Sequence, residues 1–216
     1  ARDSVTVADG ASICAAEGDR TRATETIQLT GDSALVRISA GGQVRVERKP
    51  VAGATPGTTG TINVAAGAVL DAARSITLDA SRDTVVDGDL RTHNGSLSLA
   101  AASVSLGETQ GVTGGLVLSN DDLARLSARD LTLNSRSTID LYGRIALDAE
   151  RIVLDAAGLA GYANAGESVS IHADNIALTN RAGATAPGSP PDGRGTLTPS
   201  AREVTLGAGD FVVRGF

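Results

Sequence analysis

Between residues 131 and 154 the chain reads LTLNSRSTIDLYGRIALDAERIVL, and this stretch constrains the fold more than any other. Four apolar-x-apolar pairs stand in it: Leu131/Leu133, Ile139/Leu141, Ile145/Leu147 and Ile152/Leu154, their starts separated by 8, 6 and 7 residues. Alternation with period 2 marks a strand with one buried face. The corners between the pairs are polar or carry glycine (Asn134 to Ser137, Gly143-Arg144, Asp148 to Arg151) and are too short for helices. Three strands on, from Leu131 to Ile152, the pattern returns after 21 residues. The expected fold is all-β: a parallel β-solenoid, or β-helix, with about 20 residues per coil and Pro/Gly-rich loops leaving it.

The same pairs run through most of the chain, so a single β-helix segment over residues 1–216 is expected. Residues 1–49 hold less regular coils, with Val5/Val7, Ile27/Leu29, Val36/Ile38 and Val44/Val46 among denser charge (Glu17, Asp19 and Arg20; Glu47, Arg48 and Lys49). Residues 50–60, PVAGATPGTTG, form a loop by their prolines and glycines. Regular coils are expected over 61–179: Ile76 to Leu97 is again 21 residues, and Leu97 to Leu116 is 19. Short interruptions fall at 107–115 and 156–166, and Asp121 to Leu126 has the look of one helical turn with an aspartate cap. Residues 180–200, with four of the six prolines, are expected as a loop excursion, and 201–216 as the final coil. A coil cannot bury its apolar face alone, so coils stack at about 4.8 Å, and about eight of them would span roughly 40 Å.

Composition agrees with this and excludes several function classes. Hydrophobic residues make up 41% but aromatic residues only 2%, with no Trp and no Met, which suits stacked Val, Ile, Leu and Ala rather than an irregular globular core. The 26 glycines suit tight corners. A net charge of −6 without a basic stripe argues against nucleic acid as a partner. No run approaches the roughly 18 apolar residues of a membrane span, so the chain is not expected to cross a membrane by a helix. It begins at Ala1 without a signal-peptide pattern, as an internal fragment or processed chain would. The single cysteine, Cys14, lies beside Ile13 and is expected as a small buried apolar residue rather than a nucleophile, both histidines being far away in sequence.

The phrases LSARDLTLNS, STIDLYGRIALDAERIVLDA and ESVSIHADNIALTNRAG resemble the haemagglutinin-type repeats of filamentous haemagglutinin-like exoproteins. These are large adhesins of Gram-negative bacteria, exported by two-partner secretion. The resemblance covers residues 61–183 well and the flanks weakly. It implies a right-handed β-helix forming a rod at the cell surface, a role in attachment and virulence, and a cognate outer-membrane transporter for the parent protein. The partner it implies is a host-cell or bacterial surface receptor or glycan. The chain has no Asn-Pro-Asn motif, so the resemblance implies a shaft segment rather than the secretion module; it also lacks Arg-Gly-Asp. A stalk carrying a toxin for contact-dependent growth inhibition is the alternative within the same architecture.

Candidate chemistry is sparse, and neither catalysis nor a cofactor is expected. The densest polar cluster is Asp79, Asp83, Asp87, Asp89, Arg91 and His93. On one strand Asp87 and Asp89 would point the same way, as acid/base chemistry of a β-helical polysaccharide-cleaving enzyme would need. The simpler reading makes Asp-Gly-Asp and His-Asn-Gly corner residues bonding their own backbone. No calcium-binding nonapeptide and no EF-hand spacing is present, so no metal is expected. Tyr142 and Tyr162 are candidates for stacking on sugars, Tyr142 having outward parity after Ile139 and Leu141. Arg194 is a surface candidate within the Pro-rich excursion, where recognition by a scaffold protein tends to lie.

Overall fold

The computed structural model describes residues 1–16, 25–49, 51–53, 57–187, 191 and 193–216. Expectations for Glu17, Asp19 and Arg20, and for parts of both Pro/Gly-rich loops, lie outside these residues. The chain is almost entirely β, and nearly all its strand pairs are parallel. It divides into two compact units, Ala1–Ala102 with Ser127–Arg129, and Ser103–Leu126 with Asp130–Phe216.

The first unit opens with β1 (Ser4–Val7) and β2 (Ser12–Ala15), followed by β3 (Glu25–Thr30), β4 (Ala34–Ser39) and β5 (Val44–Lys49). After the loop come β6 (Thr61–Val64), β7 (Val69–Ala72), β8 (Ser75–Ala80), β9 (Asp83–Val86), β10 (Asp89–Arg91) and β11 (Ser96–Ala101). Parallel ladders place β6 between β1 and β9, aligning Val5, Ile62 and Thr84, and β7 between β2 and β10, aligning Ile13, Leu70 and Leu90. Ile76 of β8 pairs with Leu97 of β11, so the 21-residue spacing read from the sequence is a strand register. Inward residues of these strands, Ile62, Leu70, Ile76 and Leu78, are wholly buried.

Three features of this unit depart from the expected coils. Strand β4 runs antiparallel to β8, pairing Val36 with Leu78 and Ile38 with Ile76. Apolar alternation is the same in either direction, so Val36/Ile38 carried no information about strand sense. Every residue of β8 is buried, including the outward-pointing Ser75, Thr77 and Asp79; the Gly41 and Gly42 carbonyls accept from the Ser75 hydroxyl, and Arg48 reaches Asp79. The Arg48 Nε donates to Asp79 Oδ1 at 3.0 Å and its Nη1 to Ser33 Oγ at 2.6 Å. Cys14, expected inside, is exposed, and Ile13 beside it is 43% exposed. Among the described residues strand β2 is the edge of its sheet and bonds only β7, which leaves Ile13 and Cys14 without a covering strand there.

The second unit holds β12 (Val104–Gly107), β13 (Leu116–Ser119) and a helix α1 (Asn120–Arg125), then β14 (Asp130–Ser135), β15 (Thr138–Tyr142), β16 (Ile145–Asp148) and β17 (Arg151–Asp155). It continues with β18 (Gly158–Tyr162), β19 (Ser168–Thr179), β20 (Thr196–Leu206) and β21 (Val212–Arg214). The four apolar pairs of residues 131–154 are β14 to β17, and all eight side chains are buried. Leu131 pairs with Ile152, then Ile152 with Ile176; Ile139 pairs with Leu159. Strand β19 joins what the sequence shows as two pairs, its first half beside β16 and its second beside β17.

Local differences here have physical causes. Leu116 stands beside Val104, not 19 residues from its partner, because residues 108–115 turn back and let β13 lie parallel to β12. The helix begins one residue before the expected turn, at Asn120, and its cap is Ser119 rather than an aspartate. The Ser119 hydroxyl accepts from the Asp122 N–H while the Asp122 carboxylate accepts from the Ser119 N–H, a reciprocal capping box. Strand β20 starts at Thr196, inside the expected excursion, and contains Pro199. Proline is tolerated there because β20 is an edge strand, bonded among the described residues only to β19.

Candidate functional site

In the acidic cluster of the first unit, Asp87 and His93 stand at corners, whereas Asp79 is buried in β8, Asp83 opens β9, and Asp89 and Arg91 lie in β10. Strand β9 ends at Val86 and β10 begins at Asp89, so Asp87 and Asp89 flank a bend instead of sharing a strand. A side chain at Gly88 would meet the carbonyl oxygens of Ala68 and Ala65 at 2.5 and 2.8 Å, which fixes glycine and the bend. Asp89 is paired with Arg91 at 2.8 Å, and His93 Nε2 lies 2.7 Å from Asp71 Oδ1, all on an exposed face. His93 and Asn94 both adopt left-handed backbone angles, φ 46° and 61°, before the Gly95 N–H donates to the Thr92 carbonyl. Asp87 and Asp89 thus stand on either side of the Gly88 bend, with Asp89 engaged by Arg91.

The second unit presents a different surface, the outward face of the sheet ordered β13-β12-β15-β18-β21. Strand register sets its side chains in columns. One column runs Ser105, Asp140, Ala160, Arg214; the next runs Gly107, Tyr142, Tyr162. Tyr142 and Tyr162 stack with ring centroids 5.1 Å apart and planes inclined by 18°. Both rings are half-buried. Beside them Asp140 is also half-buried; burial pushes its carboxyl above the ordinary range, and the Thr138 hydroxyl donating to Oδ1 at 2.7 Å offsets this only in part. A carboxyl raised by desolvation beside aromatic rings is the kind of group that marks a binding surface.

The Pro-rich segment borders this face and is held at both ends. At its start, Asp155, 4% exposed, accepts from the Arg181 N–H at 3.0 Å and from Arg181 Nε at 2.8 Å. Asn180, also buried, donates to the Ala184 and Asp210 carbonyls and accepts from the Ala184 N–H. At its end, Asn164 Oδ1 accepts from the N–H groups of Arg194 and Gly195 at 2.8 and 2.9 Å. Between these anchors Ala186, Pro187 and Pro191 form a shallow cleft with Tyr162, Val212 and Arg214, with room for about one water molecule. The geometry suits contact along a surface rather than enclosure of a small molecule.

Of the side chains singled out from the sequence, Asp87 and His93 fall in the corners of the first unit and Asp89 opens β10. Tyr142 and Arg194 fall in the second, where Tyr142 is one rung of the tyrosine stack; Arg194 is exposed, and its backbone N–H fastens the Pro-rich segment. The sequence reading missed Asp140 and Arg214. Asp140 was open to detection, since it shares outward parity with Tyr142 two residues on. Among the described residues no group of three or more His, Cys, Asp or Glu side chains could hold a metal ion, and no helix is long and apolar enough to cross a membrane. No family model matches the chain, and neither a curated protein nor a solved structure matches it.

Proposed function

We propose that this chain is a shaft segment of a secreted bacterial surface adhesin, folded as a right-handed parallel β-solenoid. Its role is to carry and display surfaces that attach to a glycan or receptor on host cells or neighbouring bacteria. The observation that supports it best is the strand register: parallel partners stand 20 to 24 residues apart at Leu70 and Leu90, Ile76 and Leu97, Ile139 and Leu159, and Ile152 and Ile176. Such offsets suit one circuit of three short strands. Right-handedness follows from the strong preference of parallel crossovers. A stack of circuits is stiff, and its excursions are where recognition tends to sit. The tyrosine face with Asp140, bordered by an anchored Pro-rich segment, is the surface we assign to attachment, because aromatic rings beside a carboxylate suit a sugar's apolar face and hydroxyls. The parent protein would reach the surface through a cognate outer-membrane transporter.

The test is a glycan array and an epithelial-cell binding assay with the purified chain, with glycan cleavage followed in the same wells. Saturable binding without cleavage, weakened by Tyr142→Ala or Tyr162→Ala, is the expected result. Cleavage would replace adhesion by enzymatic action. Silence in both assays would remove attachment from this segment and leave it a passive spacer.

A further inference from the structure

Strand β20 is eleven residues long and, among the described residues, bonded on one side only. Its Thr196 N–H donates to the Glu167 carbonyl and the Gly207 N–H that follows it to the Leu178 carbonyl, both toward β19. The ladder skips Arg202, where the alternation changes phase; counted back from Gly207 it turns the N–H groups of Val204 and Leu206 to the open side, and counted on from Thr196 it turns there the position of Pro199, which has none. The side chains tell the same story. Ile152, Ile176 and Val204 form one row and Leu154, Leu178 and Leu206 another. Ile152, Ile176 and Leu154 are buried, yet Val204 is 50% and Leu206 76% exposed. At the far side of the same ladder β16 does not stand bare, since α1 packs against it.

The sequence states what fits there. Ile145-x-Leu147-x-Ala149-x-x-Ile152-x-Leu154, Val169-x-Ile171-x-Ala173-x-x-Ile176-x-Leu178 and Leu197-x-Pro199-x-Ala201-x-x-Val204-x-Leu206 are three rungs of one pattern, aligned residue for residue. We propose that the open edge of β20 is a strand-addition site over residues 203–206, taking an extended segment that runs parallel to β20 and carries the apolar-x-apolar pair of this chain's own rungs. Backbone bonds to Val204 and Leu206 supply the docking, and the apolar pair selects the segment by covering their side chains. A charge at either position of the pair would be buried without a partner. Pro199 blunts the first half of the edge, confining addition to the second. This goes beyond attachment to a surface glycan and does not depend on it.

The experiment adds a peptide of residues 149–157, AERIVLDAA, to the full chain and follows amide exchange of Val204 and Leu206 by NMR. Exchange at both amides is expected to slow by roughly tenfold or more near saturation, as for amides entering a ladder. A peptide with aspartate at both apolar positions should leave them unchanged, and so should Leu206→Lys, a substitution at a site exposed enough to fold. A spin label at the peptide's N-terminus should broaden signals near Glu203, not near Gly207. Unchanged exchange with the peptide, or a label signalling the antiparallel sense, overturns the proposal. So does protection that grows with protein concentration alone, which would make a second copy the occupant.

Discussion

Arg48 is the side chain on which the first unit's covering segment most depends, and its removal gives a measurable test. Its side chain is 15% exposed and that of Asp79 7%, with Nη2 and Oδ1 2.5 Å apart. The same group donates to the carbonyls of Gly31, Ser33 and Asp79 and to the Ser33 hydroxyl. Arg48→Met keeps the stem and removes those donors, leaving Asp79 buried without its cation. Breaking one side of a buried pair costs about 3–5 kcal/mol. For a chain of this size each kcal/mol moves Tm by roughly 2–4 °C, so the melt should fall by roughly 6–20 °C. Asp79→Leu should cost less, because the guanidinium keeps its carbonyl and hydroxyl acceptors. The double variant should then be less damaged than the two singles added, with a coupling of about 1–3 kcal/mol. Urea and thermal melts by circular dichroism give the energies, and amide exchange should place the loss in β4 and β8. Strict additivity, or an Arg48→Met variant within about 0.5 kcal/mol of wild type, would refute the reasoning.

Three further outcomes follow from the same coordinates. Burial raises Asp32, but the N–H groups of Gly57, Thr59 and Thr58 and the Thr58 hydroxyl overcome it and bring its pKa to about 2. Its contribution is therefore complete above the unfolded value of 3.8 and lost as pH falls toward 2, so exchange at Gly57 to Thr59 should accelerate across that window and Asp32→Asn should abolish the dependence. Asp140 is shifted the other way, so the native state disfavours its charge once pH exceeds the ordinary carboxylate range; Asp140→Asn should be more stable than wild type at pH 7 and equal to it in acid, by urea melts at the two pH values. Leu133 is wholly buried, and Leu133→Asp should cost several kcal/mol, about 3 or more, whereas Pro191→Ala should cost about 1 kcal/mol or less; thermal melts in the reverse order would refute the inward register of β14.

Strands with one buried face were legible because alternation depends only on which residues need water, and Ile139/Leu141 or Ile152/Leu154 show that at a glance. Strand sense was not legible: Val36 and Ile38 alternate identically whether β4 runs with β8 or against it. Exposure at an edge was hidden for a related reason, since Cys14 and Ile13 look inward by composition while, among the described residues, the sheet has no strand beyond them. The Pro-rich segment was read too long because prolines suggested loop throughout, yet Pro199 sits in a strand that, among the described residues, bonds only β19. The surface around Asp140 was half visible. Parity gave its direction, but its burial comes from packing around it, and the anchors that hold the bordering segment join residues as far apart in sequence as Asp155 and Arg181.

The stacked pair of tyrosines has an optical consequence. The chain has no Trp and two Tyr, and both are in that stack, 5.1 Å apart. Tyrosine absorption, tyrosine emission and the coupled circular dichroism of two close phenol rings therefore all arise from one rung of the β15–β18 ladder. A slip of one residue between these strands would send one ring to the opposite face and uncouple them. The protein thus carries a built-in gauge of its own register, readable in solution without a label, against which folding, truncation or added strands can be followed.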